Sequence, residues 1–294
     1  WFLQSIAKQT ERIELLKFQS ALALQCFTNE YIYEQTEADF IALEKLEESI
    51  ENTLSKGSQP SSYSILCLAS YKPLNHLKWC NLLEKNDNIE EVYRRQVEEP
   101  EIEENIKNAI SVLTEIRDDV SSEVREQYEK SPYPRWVNLG SGSDYMSVST
   151  IINEIGLKVF DNSITYIGSP NILVAGCGTG QHSIGTAKKF KYSKVIAVDL
   201  SLSSLAYAKR KTDELEIDNI EYMQADILNL GKFKNQFDIV ESLGVLHHMD
   251  NPLAGWRVLT RCLKNGGLMK IGLYSEAARQ HIVTIRKEIT ELGI

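Results

Sequence analysis

Apolar residues recur at helical spacing through the first third of the chain. Over residues 11–33 they fall at Ile13, Leu16, Phe18, Ala21, Leu22, Leu24 and Phe27, a broad stripe on one helical face. Residues 37–54 repeat the pattern with Phe40, Ile41, Leu43, Leu46 and Ile50, and Lys56-Gly57-Ser58-Gln59-Pro60 then breaks the helix. Shorter helical pieces are predicted at 62–70, 74–84 and 102–113. From residue 171 the texture changes. Short apolar runs at 172–175, 195–198, 220–223, 237–241 and 268–273 read as strands, and amphipathic segments at 181–190, 203–214 and 253–263 read as the helices between them. Continuous apolar strands separated by helices indicate a parallel sheet covered on both faces. Right-handed crossovers make such a sheet doubly wound. The expected organisation is an all-helical N-terminal region over 1–127, a linker with a flanking helix over 128–170, and an α/β domain over 171–294.

Composition narrows the class. The hydrophobic fraction of 43% and charged fraction of 25% are those of a globular protein. No apolar run approaches the ~18 residues of a membrane-spanning helix, so no membrane association is expected. Net charge is −9, with 41 acidic and 32 basic residues. No basic stripe stands out, which argues against a nucleic-acid partner. Cys26, Cys67, Cys80, Cys177 and Cys262 are scattered, odd in number and without CxxC spacing. That pattern speaks against a zinc site or a disulfide framework and fits a reducing cytoplasm. The chain opens on Trp1 rather than Met and is expected to be a fragment.

Four strand ends carry candidate chemistry. The run 172–175 leads into Gly176-Cys177-Gly178-Thr179-Gly180 and then a helix. Glycines there allow a sharp turn and let a ligand approach with no Cβ in the way, and the helix start offers free N–H groups. The second strand ends at Asp199, 19 residues after Gly180, where a carboxylate can accept from both hydroxyls of a ribose. The third leads into Gln224-Ala225-Asp226, where a carboxylate can accept from the amine of adenine. The fourth leaves through Glu241-Ser242-Leu243-Gly244-Val245-Leu246-His247-His248. All four exits lie on the carboxyl edge of the sheet, where open α/β folds bind ligands. A nicotinamide-binding turn would need a small residue at position 181, and Gln181 stands there.

These four segments resemble, in order and spacing, the motifs of the class I S-adenosylmethionine-dependent methyltransferases. The resemblance covers about residues 171–274 and implies a Rossmann-like methyltransferase sheet with S-adenosylmethionine as cofactor. It implies that Gly176, Gly178 and Gly180 line the methionine part, and that Asp199 with Leu200 holds the ribose. Ala225 and Asp226 would face adenine, and Ser242 and Leu243 would border the sulfonium. The family often has an acid two residues before the first glycine. Here that residue is Val174, so another group, such as Gln181 or His182, would have to bind the cofactor's amino group. The segments 25–31 and 128–136 resemble the flank of bacterial methyltransferases often fused to tetratricopeptide repeats.

Within the second of these segments, Pro132 and Pro134 impose an extended path. Tyr133, Arg135 and Trp136 are the candidate lid over the cofactor or the acceptor. The sulfonium already activates its methyl group, so direct displacement by an acceptor nucleophile needs positioning more than a fixed catalytic residue. If a general base is used, His247, Tyr133 and Glu241 are the candidates. The adjacent His247 and His248 are expected to point apart in a structural turn and to bind no metal. The acceptor is left open between a small molecule and a protein. The alternative is a cofactor-binding interaction protein without catalysis, with the helical region as the surface for a protein partner. Class I domains end with a hairpin after strand five, whereas here a helical segment over 276–292 follows. A C-terminal truncation with an exposed sheet edge is therefore expected.

Overall fold

The computed structural model describes residues 13–140, 145–190, 192–275 and 277–293. The chain divides into two units, one ending at Asn105 and the other starting at Ile106. The first is helical: α1 (Ile13–Thr28), α2 (Glu37–Ser55), α3 (Ser62–Ala69), α4 (Glu90–Tyr93), a π-turn at Arg94–Glu98, and α5 (Glu99–Lys107). The predicted helix start at Glu11 lies outside the described residues. Residues 74–84 do not form the expected helix. They fold as 3-10 turns at Leu74–His76 and Cys80–Leu82, because the buried Leu74, Leu77 and Cys80 recur every three residues. The buried face of α1 is Leu16, Gln19 and Ala23, and that of α2 is Leu43, Ile50 and Leu54. Phe18, Phe40 and Ile41 of the expected stripes are exposed. Gln96 is fully buried in this unit. Its Oε1 accepts from the Leu74 N–H and its Nε2 donates to the Ala69 carbonyl at 3.0 Å.

The second unit is a six-stranded parallel sheet of β1 (Ser111–Val112), β2 (Asn171–Ala175), β3 (Lys194–Asp199), β4 (Ile220–Gln224), β5 (Phe237–Leu243) and β6 (Leu263–Gly272). Its order is β1-β4-β3-β2-β5-β6. Four strands fall where the apolar runs placed them, and β6 begins at Leu263, five residues before the run expected at 268–273. β1 falls on none of these runs: residues 102–113 were expected to be helical, but the helix ends at Lys107 and Ser111 and Val112 pair with Met223 and Gln224 of β4. This tertiary pairing overrides a weak local pattern. Among the described residues β6 pairs only with β5.

The other helices of this unit are α6 (Asp119–Lys130), α7 (Val148–Glu154), α8 (Gln181–Lys189), α9 (Leu202–Glu214), α10 (Pro252–Cys262) and α11 (Gln280–Leu292). Glu276, the first residue of the predicted last helix, lies outside the described residues. Alternation along β2 explains its unbroken apolar sequence. Ile172 and Val174 join the core formed with Val195, Ala197 and Leu205, while Leu173 and Ala175 join the one formed with Val240, Leu246 and Leu259. From β2 the chain builds β3 and β4 on one side, then crosses to β5 on the other. The carboxyl ends of β2 and β5 therefore flank the topological switch point, where such sheets open a crevice.

Two glycines fix how closely the elements meet there. A Cβ on Gly176 (φ +74°) would overlap the Val245 side chain, and one on Gly180 (φ +86°) would lie 2.6 Å from Ala208 Cβ on α9. Gly180→Ala combines left-handed backbone with overpacking. It should cost the sheet unit about 1–3 kcal/mol, read as faster amide hydrogen exchange along β2 and β3. Unchanged exchange would mean that the turn accommodates a methyl group.

Candidate functional site

The glycine turn is held from β3. The Gly178 N–H donates to Asp199 Oδ2 at 2.7 Å, and the Ser201 N–H donates to Oδ1 at 3.0 Å. One carboxylate thus ties the turn after β2 to the start of α9. Burial pushes the Asp199 carboxyl above the usual aspartate range, the Ser201, Gly178 and Leu200 amides pull it back, and Glu129 adds repulsion.

That start of α9 has a second partner. Glu129 on α6 accepts from the Leu202 N–H at 2.6 Å and from both the N–H and the hydroxyl of Ser203 at 3.0 and 2.6 Å. A carboxylate at a helix N-terminus satisfies free amides and meets the positive end of the helix dipole. With α6 pinned in this way, Val120, Ser121, Val124 and Tyr128 form a wall of a cavity of about 350 Å³ at the carboxyl edge.

Asp226 sits at the end of β4 and is 2% exposed. Its Oδ1 accepts from the Leu228 N–H at 2.9 Å, capping a 3-10 turn, while Oδ2 is buried without a partner. A buried unsatisfied acceptor costs about 1–3 kcal/mol, and this residue lines the cavity.

The exit of β5 supplies the far wall with Leu243, Gly244, Val245, His248 and Met249, joined by Tyr274. His247 and His248 do not point apart as expected. The 3-10 turn Leu246–His248 brings their rings to 4.3 Å between centroids, and His247 lies 3.8 Å from the Tyr274 ring. Arg279 covers Tyr274 at 3.7 Å. Burial, then the charge of Arg279, lowers the His248 pKa; His247 is lowered by burial, His248 and Arg279. Among the described residues no group of three or more His, Cys, Asp or Glu side chains is arranged to hold a metal. No helix there is long and apolar enough to cross a membrane.

The segment after α6 is strapped to the glycine turn. Thr179 Oγ1 donates to the Pro134 carbonyl at 2.6 Å, and Trp136 Nε1 donates to the Thr179 carbonyl at 3.0 Å. The Tyr207 hydroxyl donates to the Trp136 carbonyl. Trp136 is buried against Ile184 and Tyr207 rather than facing the cavity. Tyr133 lines the cavity and is 70% exposed.

The structure gathers Gly176, Gly178, Asp199, Leu200, Ala225, Asp226, Leu243 and Tyr133 around one cavity, with Gln181 and His182. Gly180, Ser242, Glu241, His247, Arg135 and Trp136 are not in its lining. Gly180 caps α8 behind the turn, and Ser242 is fully buried on β5. Glu241 is buried and engaged: Oε2 accepts from Thr186 Oγ1 at 2.6 Å and lies 3.0 Å from His182 Nε2, with Lys270 Nζ 3.9 Å from Oε1. Sequence reasoning missed Glu129, Met249, Tyr274 and the α6 wall. The one available signal was the spacing of Val120, Val124 and Tyr128 at four-residue steps, one face of a helix.

A parallel sheet with its glycine turn and acidic strand ends converging on one crevice defines a cofactor-binding α/β domain. Residues 172–267 match the methyltransferase domain family. Over these residues the chain is similar to methyltransferase domains. An uncharacterized protein of Synechococcus sp. is 32% identical over 43% of this chain and 30% of its own length. A ubiquinone biosynthesis O-methyltransferase of Coxiella burnetii is 30% identical over 46% of this chain and 56% of its own. A demethylmenaquinone methyltransferase of Staphylococcus saprophyticus is 35% identical over 32% of this chain and 40% of its own. The chain thus spans about half the length of these relatives or less.

Burial pushes the Glu241 carboxyl up, but His182, Thr186 and Lys270 together hold it below the usual glutamate range. A depressed carboxylate stabilises the fold above its unfolded pKa, and the contribution is lost as pH falls through the depressed value. Glu241→Gln should therefore destabilise the sheet unit by about 1–3 kcal/mol at neutral pH, with the difference from wild type shrinking below about pH 4.5. Urea denaturation at several pH values reads this, and a difference independent of pH would contradict it.

Proposed function

We propose that the protein transfers the methyl group of S-adenosylmethionine to an acceptor nucleophile that enters the cavity beside Tyr133, His248 and Tyr274. The observation that carries this reading is Asp226, whose buried Oδ2 lacks a partner at the end of β4 in the cavity shared with the glycine turn. An exocyclic amine would satisfy that oxygen. On this reading Ala225 and Asp226 take adenine, and Asp199 and Leu200 take the ribose. Asp199 spends one acceptor position per oxygen on backbone amides, and a carboxylate oxygen can accept a second hydrogen bond. Gly176 and Gly178 border the methionine arm, Gly180 supports them from behind, and Leu243, backed by Ser242, borders the sulfur. When bound, the cofactor supplies an electrophilic methyl group on a positively charged sulfur.

The chain's own part is orientation and exclusion of water. Val120, Val124 and Met249 give the cavity apolar walls. Tyr133 and Tyr274 offer flat faces to an acceptor that must be held within ~3–3.5 Å of the reacting carbon. Burial and then the charge of Arg279 lower the His248 pKa, which favours the neutral imidazole, the form able to take a proton from an acidic acceptor. Glu241 and His247, which do not line the cavity, are the weaker candidates for that step. A small-molecule acceptor suits an enclosure of this size. Two of the matched relatives are named for ubiquinone biosynthesis and for demethylmenaquinone. Quinone-type precursors therefore come first in an acceptor screen by tritiated methyl transfer, with protein and nucleic-acid fractions as the other arms.

Calorimetric titration of S-adenosylhomocysteine tests the cofactor site. Asp226→Ala and Asp199→Ala should each weaken binding on the order of tenfold or more. Wild-type affinity should also fall on acidification, starting above the ordinary aspartate range, because the raised Asp199 carboxyl takes up its proton early. A wild-type chain that fails to bind S-adenosylhomocysteine would sink the proposal. Tyr133→Ala should slow methyl transfer while leaving cofactor affinity within about twofold, the change expected where no charged contact is lost. An equal loss of both would move Tyr133 from the acceptor to the cofactor.

A further inference from the structure

β2 and β5 run side by side in register, and Val174 stands directly opposite Glu241. The acid absent from β2 at Val174 thus has a counterpart one strand away. Glu241 is 6% exposed and does not reach the cavity itself. It lies 3.0 Å from Nε2 of His182, near the start of α8, and His182 does line the cavity. Thr186 Oγ1, one turn further along α8, donates to the same carboxylate oxygen at 2.6 Å, and Lys270 lies 3.9 Å from the other.

Nε2 is buried 3.0 Å from Glu241 Oε2, short of hydrogen-bond alignment in the ligand-free chain, and this carboxylate is the acceptor placed to take its proton. An ionised carboxylate only accepts hydrogen bonds, so it favours the proton on the ring nitrogen that faces it. A neutral histidine protonated at Nε2 carries its lone pair on Nδ1. The same arrangement of carboxylate behind imidazole fixes tautomers in metal sites. Here no other described His, Cys, Asp or Glu joins the pair to build a metal site. With the proton on Nε2, a lone pair on Nδ1 of this cavity-lining residue is suited to accept from an organic cation.

We propose that Glu241 is a positioning residue that holds His182 as the Nε2–H tautomer, so that Nδ1 accepts from the ammonium group of the cofactor's methionine arm in place of a carboxylate at Val174. This rests on the cofactor reading above and assigns two residues to it. Glu241 thereby acts through His182 rather than as a general base.

The experiment uses the full chain and three ligands: S-adenosylhomocysteine, its analogue with the amino group replaced by hydrogen, and 5′-methylthioadenosine, which lacks the amino-acid arm. Wild type should prefer S-adenosylhomocysteine over the deaminated analogue on the order of tenfold or more. His182→Ala and Glu241→Gln should bring that ratio close to one and leave 5′-methylthioadenosine affinity unchanged, which also reports an intact adenosine site. His182→Asn, whose Oδ1 takes the place of Nδ1, should restore part of the preference. Nitrogen NMR of the ligand-free chain should show the Nε2–H tautomer at His182 in wild type and its loss in Glu241→Gln. Should the glutamine variant not fold, His182→Ala and His182→Asn carry the test. Full preference retained in His182→Ala, or an Nδ1–H tautomer in wild type, overturns the assignment. Wild type that binds S-adenosylhomocysteine and 5′-methylthioadenosine without preferring the amino group overturns this assignment alone. Wild type that binds none of the three overturns the cofactor reading and this assignment with it.

Discussion

The carboxylate of Asp199 is the joint on which the crevice depends. It grips the Gly178 amide on one side and the Ser201 amide on the other, so the end of β3 dictates both the shape of the turn after β2 and the first turn of α9. A left-handed glycine turn is entropically expensive to order, and two charge-assisted bonds in a buried setting offset that cost. Burial works against the charge while the amides favour it, and the raised carboxyl pKa is the residue of that contest. The two glycines behind the joint complete the constraint: Gly176 admits Val245 from the β5 exit, and Gly180 admits α9.

The wall of the cavity is attached to this joint rather than to the sheet. α6 is fastened through Glu129 to the α9 amides, and residues 134–136 are fastened to both the hydroxyl and the carbonyl of Thr179. Trp136 serves as the rivet, buried with Ile184 and Tyr207. Tyr133, three residues earlier, is left at the cavity with most of its surface in solvent. A segment that looks uniform in sequence, with aromatics on either side of Pro134, is therefore split into an anchor and a solvent-facing wall residue.

The sheet was legible in the sequence because each strand is buried on both faces and reads as an unbroken apolar run. The glycine turn was legible because its left-handed backbone leaves few residue choices, and Asp199 and Asp226 because each is an acid at the end of an apolar strand. The helical stripes of the first unit were less well placed. Phe18, Phe40 and Ile41 are apolar yet exposed, and the polar Gln19 and Gln96 are buried. Hydrophobicity does not report a glutamine such as Gln96, which bonds the backbone at Leu74, Ala69 and Ala23. Strand β1 was hidden because two residues carry no periodicity and depend on the edge of β4 to exist. Glu129 was invisible for a different reason. An acid in the last turn of a helix has no local purpose, and its partners Leu202 and Ser203 lie far along the chain.

That separation bears on how the molecule comes to be made. The residues of α6 and the strap leave the ribosome long before their holders: Glu129 waits 74 residues for Ser203, and Trp136 waits 71 for Tyr207. Closing loops of this length is entropically slow to reward. Ser203 and Tyr207 both lie on α9, so these bonds wait until that stretch of the chain has been made. During synthesis the aromatic strap is thus an unsheltered apolar segment on a growing chain, and the crevice acquires its outer wall only after its floor has been laid.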